Sequence, residues 1–123
     1  MAETLRRNEV VRLKEEMRMI RRTGRRVSGP VLYLRAAPSQ PRQPGPETRP
    51  SRRIAFLLNR GIRTAVRRNR VKRRLREIYR TNKDWFPDNH DYLLHVTPGA
   101  ADLPYRHLLR HTEALARRMR DGE

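Results

Sequence analysis

The chain has 123 residues, with 30 Lys or Arg against 13 Asp or Glu, a net charge of +17 and an apolar share of 36%. That is one domain's length with a modest core, too charged for a membrane-embedded chain and too apolar for a wholly disordered one. The absence of cysteine excludes disulfides, thiolate catalysis and cysteine zinc sites.

The opening stretch, MAETLRRNEVV, lacks an apolar signal core, and Glu3, Glu9, Glu15 and Glu16 do not suit an organelle transit peptide. A cytoplasmic protein is the expectation, and no apolar run approaches membrane-spanning length. Val10, Leu13, Met17 and Ile20 recur on one face of an amphipathic helix, which Gly24 is placed to end. The β-prone centre from Val31 to Leu34 predicts a strand. Residues 37–51 hold five prolines in fifteen positions, which excludes helix and central strand and predicts a loop. Arg53 to Leu58 predicts the next strand, broken at Gly61, and a helix follows from about Thr64 to Thr81. After Trp85 the stretch FPDNHD is turn chemistry. Tyr92 to Val96 predicts a short buried strand, ended by Pro98 and Gly99. Tyr105, Leu108, Leu109, Thr112, Leu115 and Met119 then keep helical spacing, with Pro104 suited to the first turn. The order is helix, strand, strand, helix, strand, helix: an α+β sandwich of a small sheet under helices in a single domain over residues 1–123. A further short strand fits near Val27 or in the proline loop.

Chemistry concentrates in residues 60–80, RGIRTAVRRNRVKRRLREIYR, where ten residues are basic and only Glu77 is acidic. On a helix, Val71, Leu75, Ile78 and Tyr79 share one face. Asn69, Arg73, Arg76 and Arg80 share another, Lys72 flanks that stripe, and Arg70 and Arg74 point elsewhere. Arg67, Arg68 and Arg70 fall in the first two turns, where cations oppose the helix dipole at roughly 0.3–1 kcal/mol each. Backbone N–H groups and guanidinium groups together there suit an anion, so the helix start is expected to meet phosphate. A compact body with this charge favours a polyanion, and nucleic acid is the commonest. Only Lys14, Lys72 and Lys83 are lysines. Arginine's planar fork suits phosphates and bases, although a GC-rich genome produces the same bias.

Ala65-Val66-Arg67-Arg68-Asn69-Arg70-Val71-Lys72-Arg73-Arg74-Leu75-Arg76-Glu77 resembles the hallmark Arg-Asn-Arg helix of the ribonuclease P protein family, matching every defined position. Arg25-Arg26-Val27-Ser28-Gly29, Arg53-Ile54-Ala55-Phe56, Asn82-Lys83-Asp84, Asp91-Tyr92 and Pro98-Gly99-Ala100-Ala101 extend the likeness. The resemblance implies an αβββαβα two-layer sandwich with a left-handed crossover. It also implies a subunit of a ribonucleoprotein endonuclease whose large catalytic RNA cuts the 5′ leader from precursor tRNA with Mg²⁺. It assigns contacts with the catalytic RNA to Arg68, Asn69, Arg70, Lys72, Arg73 and Arg76. A separate cleft between the first helix and the sheet would hold the single-stranded leader, with Met17, Arg21, Tyr33 and Phe56 as candidates. Met17 and Arg21 stand where the family often has aromatics, and arginine can stack on a base as well as pair with phosphate. Leu57-Leu58-Asn59-Arg60-Gly61 replaces the family's small hydroxyl-bearing residue and basic pair, and Arg63 stands where glycine is frequent.

Other signals are weaker. His107 and His111 stand at i, i+4 without further metal ligands and read as surface histidines. His95 falls in a buried strand, where a neighbour is expected to satisfy it. Asp84, Asp88 and Asp91 suit turn and capping roles better than a metal site. Trp85 and Phe86 are expected to cover the core. No nucleophile–base pair appears, so no catalytic residue is expected in the protein itself. The competing readings are a general RNA-binding or ribosomal protein, a DNA-compacting protein and a cationic membrane-surface protein. Neither a recognition-helix pair nor a long apolar face supports the last two. The expectation is therefore an RNA and precursor-tRNA partner, no membrane and no required protein oligomer.

Overall fold

The computed structural model describes residues 14–39 and 52–122. Val10 and Leu13, and residues 40–51 of the proline-rich stretch, lie outside them. The elements are α1 (Lys14–Thr23), β1 (Arg25–Ser28), β2 (Leu32–Pro38), β3 (Arg52–Leu58), α2 (Ala65–Thr81), a 3-10 turn (Lys83–Trp85), β4 (His90–Val96), α3 (Pro98–Ala101) and α4 (Tyr105–Arg120). The αβββαβα order is met, with the short α3 added where Pro98 restarts the chain as a helix. The extra strand expected near Val27 is β1.

The sheet runs β1-β2-β4-β3, with β1/β2 and β2/β4 antiparallel and β3/β4 parallel. A parallel pair needs a crossover rather than a hairpin, and α2 lies in that connection. β4 is central and buried from Asp91 to Val96, which explains its continuous apolar reading. Ala37 and Pro38, expected in the loop, instead extend β2 opposite Asp91 and His90. Proline is tolerated there because β1 pairs with β2 only as far as Ala36, so no ladder bond on that side is lost.

Strand alternation divides the sheet. Leu32, Leu34, Ile54, Tyr92, Leu94 and Val96 belong to the main core with α2 and α4. From α2 come Val71, Leu75, Ile78 and Tyr79, the face expected from their spacing. From α4 come Leu108, Leu115, Ala116 and Met119. Phe86 is buried between Tyr79 and Tyr92, with ring centroids at 5.1 and 5.2 Å, while Trp85 is half-buried against the same cluster. The opposite face carries a smaller cluster of Ala37, Ala55 and Leu93 under Ile20 of α1.

Two interactions fix α1. Gly24 N–H bonds to Ile20 O at 2.8 Å, and a Cβ at Gly24 would stand 2.4 Å from Ile20 O and 2.8 Å from Ala36 O, so the exit requires glycine. Arg53, buried on β3, donates to Asp91 of β4 through Nε (3.1 Å) and Nη2 (2.8 Å) and pairs through Nη1 with Glu16 of α1 (2.9 Å). α1 is thereby tied to both β3 and β4 on this face of the sheet.

Candidate nucleic-acid interface

Thr64 caps the start of α2, its hydroxyl accepting a hydrogen bond from the Arg67 N–H at 3.3 Å. Its cations then divide by angular position. Arg67, Arg70 and Arg74 face the segment after α3. Arg67 donates to Asp102 through Nε (3.1 Å) and Nη2 (2.7 Å), Arg70 reaches the same carboxylate at 3.1 Å, and Arg74 donates to Leu103 O. The hydrogen bond from Arg67 is the foremost reason that the Asp102 carboxyl is held below its usual range, with the charges of both arginines adding. The helix start is therefore not a set of uncompensated cations: a carboxylate from a distant part of the chain supplies the charge that the first turn lacks.

Arg68 is half-buried and donates to Asn59 O (3.2 Å) and Ile62 O (3.0 Å), bracing the loop ahead of the helix. Asn69, Lys72, Arg73 and Arg76 form the remaining stripe, and none of them makes an ion pair among the described residues. Arg80, at the end of that stripe, is paired with Glu77, which lowers the Glu77 carboxyl. The six RNA-binding candidates thus separate into an open group, Asn69, Lys72, Arg73 and Arg76, and two arginines already engaged within the protein.

A groove continues from this stripe round the edge strand β3. One cavity of about 420 Å³ is lined by Asn69, Lys72 and Arg68 of α2, Arg21 of α1 and residues 56–58. A second, of about 270 Å³, is lined by Arg21, Leu57, Leu58, Asn59, Arg60, Tyr33, His95 and Thr97, among others. Arg21, Leu57 and Leu58 line both, so Arg21 stands at the joint.

Of the four cleft candidates, Arg21 and Tyr33 line the second cavity. Met17 is half-buried and packs on the Ala37, Ala55 and Leu93 cluster, a supporting position. Phe56 lies on the other side of β3, packed against the main core and lining only the cavity beside α2. Alternation is the reason: Ile54, Phe56 and Leu58 share one face, while Ala55 and Leu57 turn toward α1. Leu57 and Leu58 of β3 both line the second cavity, and Leu57 is the one on the α1 side of the strand.

Tyr33 is held on both faces. The His95 ring stacks on it at 4.1 Å between centroids and 8° between planes, and the Arg26 guanidinium stands 4.3 Å from the same centroid. The strand order β1-β2-β4 sets Arg26 and His95 on opposite flanks of Tyr33, so its ring is covered by protein groups rather than left as a bare π-surface. The expectation that a neighbour satisfies His95 by hydrogen bonding is not met: Nε2 is buried and finds no protein partner. Its packing comes from the ring. Burial foremost, then the charges of Arg35, Arg21 and Arg26, lowers the His95 pKa to about 4. Cross-strand register places Tyr33 opposite His95 and His95 opposite Leu57, a row that a single sequence does not reveal.

Among the described residues no group of three or more His, Asp or Glu converges to hold a metal ion. Asp88 pairs with Arg52 at 3.2 Å and Asp91 with Arg53. No helix among the described residues is long and apolar enough to cross a membrane.

Comparison with known proteins gives one answer. The family model described as Ribonuclease P matches residues 5–120. A ribonuclease P protein component of Streptomyces avermitilis is 32% identical over 114 residues, covering 91% of this chain and 92% of that protein. One of Petrotoga mobilis is 34% identical over 94 residues, 74% and 70% of the two chains. The RNase P protein from Thermotoga maritima superposes with a TM-score of 0.74 at 20% identity, covering 89% of this chain and 96% of that one. The Staphylococcus aureus RNase P protein does so with a TM-score of 0.73 at 16% identity, covering 94% and 95%.

Proposed function

The chain belongs to the ribonuclease P protein family, and from that premise we propose that it binds the catalytic RNA through α2 and the 5′ leader of precursor tRNA through the cleft beneath α1. It is the protein component of a ribonucleoprotein endoribonuclease that acts in tRNA processing. One observation carries the assignment of surfaces. The acid-free stripe Asn69, Lys72, Arg73 and Arg76 leads through Arg21 into a cleft lined by Tyr33 and His95. Two RNA strands are therefore within reach at once around the free edge of β3.

The protein's part is electrostatic and positional. Guanidinium groups on the stripe neutralise phosphates of the RNA subunit and release counterions, so association weakens steeply with salt. Arg21 and Arg60 neutralise leader phosphates as these enter the cleft, and Arg26 holds Tyr33 in place. Magnesium, bound by the RNA subunit, would supply the chemistry of cleavage. The protein's cations replace part of the charge neutralisation that the folded RNA otherwise draws from that ion, which lowers the magnesium requirement. The setting is cytoplasmic and needs no protein oligomer.

Cleavage of a precursor tRNA by a bacterial ribonuclease P RNA at low magnesium tests the reading. The wild type should restore cleavage, and Arg73→Glu/Arg76→Glu should not. Restoration by both would move the docking surface off the stripe. Failure of both, with cognate RNA and folded protein, would return the chain to a general RNA-binding role.

A further inference from the structure

His95 is not accounted for by packing alone. It lies in the wall of the 270 Å³ cavity, nine-tenths buried, on the central strand, with Tyr33 against one face and Leu57 the next residue across the sheet. A buried polar nitrogen without a partner loses its water and gains nothing in exchange, and such groups in native proteins call for an explanation. Leucine, valine or isoleucine would fill this strand position without that loss. The neighbouring Leu93 does so on the same face.

The surroundings define what the imidazole can recognise. Arg21 and Arg60 line the same cavity and Arg26 and Arg35 flank Tyr33, so anionic groups entering there already have cations to meet. Burial foremost, then the charges of Arg35, Arg21 and Arg26, keeps the ring neutral. A neutral imidazole carries one donor and one acceptor nitrogen and competes poorly with guanidinium for phosphate. Its suitable ligand is a neutral hydrogen-bonding group. On a single-stranded RNA these are base edges and the ribose 2′-hydroxyl.

We propose that His95, braced by Tyr33, is a specificity-determining residue of the cleft, hydrogen-bonding a base edge or ribose hydroxyl of the leader while the arginines take its phosphates. The proposal rests on the leader reading given above. The row Arg26–Tyr33–His95 is then a braced stack at the cleft wall, in place of the aromatic surface on which a base would lie flat. Tyr33 and Arg26 act as positioning residues, since they hold the ring rather than accept the nucleotide.

Single-turnover cleavage by the reconstituted holoenzyme supplies the test, read as the half-saturating concentration for precursors with long and with one-nucleotide leaders. Wild type, His95→Leu and His95→Gln are compared, each checked for folding by thermal unfolding. Leucine suits a buried strand, so the first variant should fold. His95→Leu should weaken the long-leader precursor about three- to tenfold, the worth of one neutral hydrogen bond, and leave the short-leader precursor unchanged. His95→Gln should recover most of the loss. A long leader with 2′-deoxy sugars then assigns the contact: loss of the His95 effect names the ribose hydroxyl, and its persistence names the base edge. Equal weakening of both precursors, no weakening, or a glutamine variant as weak as leucine would each overturn the proposal. If the wild type itself does not distinguish long from short leaders, the leader reading fails instead, independently of His95.

Discussion

Asp102 lies 32 residues from Arg70 in sequence and 3.1 Å from it in the fold. The first turns of α2 carry three arginines and no acid, an arrangement that read in isolation points to an external phosphate. The structure supplies an internal anion for two of them, a carboxylate occupying the position between Arg67 and Arg70 that a phosphate would take. Asp102→Asn should therefore free both guanidinium groups. RNA binding should tighten at low salt, and the slope of log K against log salt should steepen by roughly one unit, the share of one to two phosphate contacts. Glu113→Gln, remote on α4 and paired with Arg117, controls for the change in net charge and should leave the slope unaltered. An equal slope for both variants would mean that Asp102 does not compete with phosphate. His95 makes a second prediction at this scale. In the unfolded chain the imidazole takes up a proton near pH 6.5, whereas in the fold it does so only near 4, because burial and then Arg35, Arg21 and Arg26 oppose the charge. As pH falls from 6.5 towards 4, the unfolded chain gains a proton that the folded chain refuses, so this contribution, present above 6.5, is lost across the window. His95→Leu lacks it, and its melting temperature should fall less than the wild type's over the same range. Parallel curves would remove the linkage.

The elements differ in how much of their role was written locally. α2 was legible because one helix displays both its apolar face and its basic stripe at a single period, and Val71, Leu75, Ile78 and Tyr79 are buried as spaced. β1 has one inward residue, Val27, too little for a pattern. The placement of Phe56 and Leu57 depended on which face of β3 meets α1, and that is fixed by strand order and register, not by the strand's own sequence. α1 shows the same dependence. Its buried residue Ile20 and half-buried Met17 give it a small apolar footing, and the Arg53 pairings with Glu16 and Asp91 add a charged one. Removing the central cation of such a set takes the shared positive charge away from two carboxylates in a largely dry setting, which typically costs about 3 kcal/mol. Arg53→Met should lose about that much stability in urea unfolding. Because α1 carries Arg21, a variant that stays folded should lose affinity for leader-bearing precursor more than for the RNA subunit. A loss below about 1 kcal/mol would show that α1 is held by its apolar contacts alone.

At the scale of the whole molecule, the net charge of +17 acts on every equilibrium the protein enters. Like charges on a compact body repel, and unfolding spreads them apart, so the free protein gives up stability to carry the surface its partner requires. An anion that binds the folded surface more tightly than the unfolded chain recovers that stability by RT ln(1 + [L]/Kd), about 2.7 kcal/mol at a hundredfold excess over Kd. Sulfate or phosphate should therefore raise the melting temperature at fixed ionic strength, where general screening is held constant and only site binding remains. The open stripe supplies the strongest sites, because Lys72, Arg73 and Arg76 have no carboxylate of their own to displace among the described residues. Arg73→Glu/Arg76→Glu should be less responsive to phosphate than the wild type, even where relief of repulsion makes it more stable in its absence. Asp102→Asn should respond more than the wild type, since it opens a second place for the anion at Arg67 and Arg70. Equal phosphate responses from all three proteins would mean that the charge acts diffusely, with no local anion site on α2. A wild-type melting temperature unchanged by phosphate would mean that the folded surface has no preference for the anion at all.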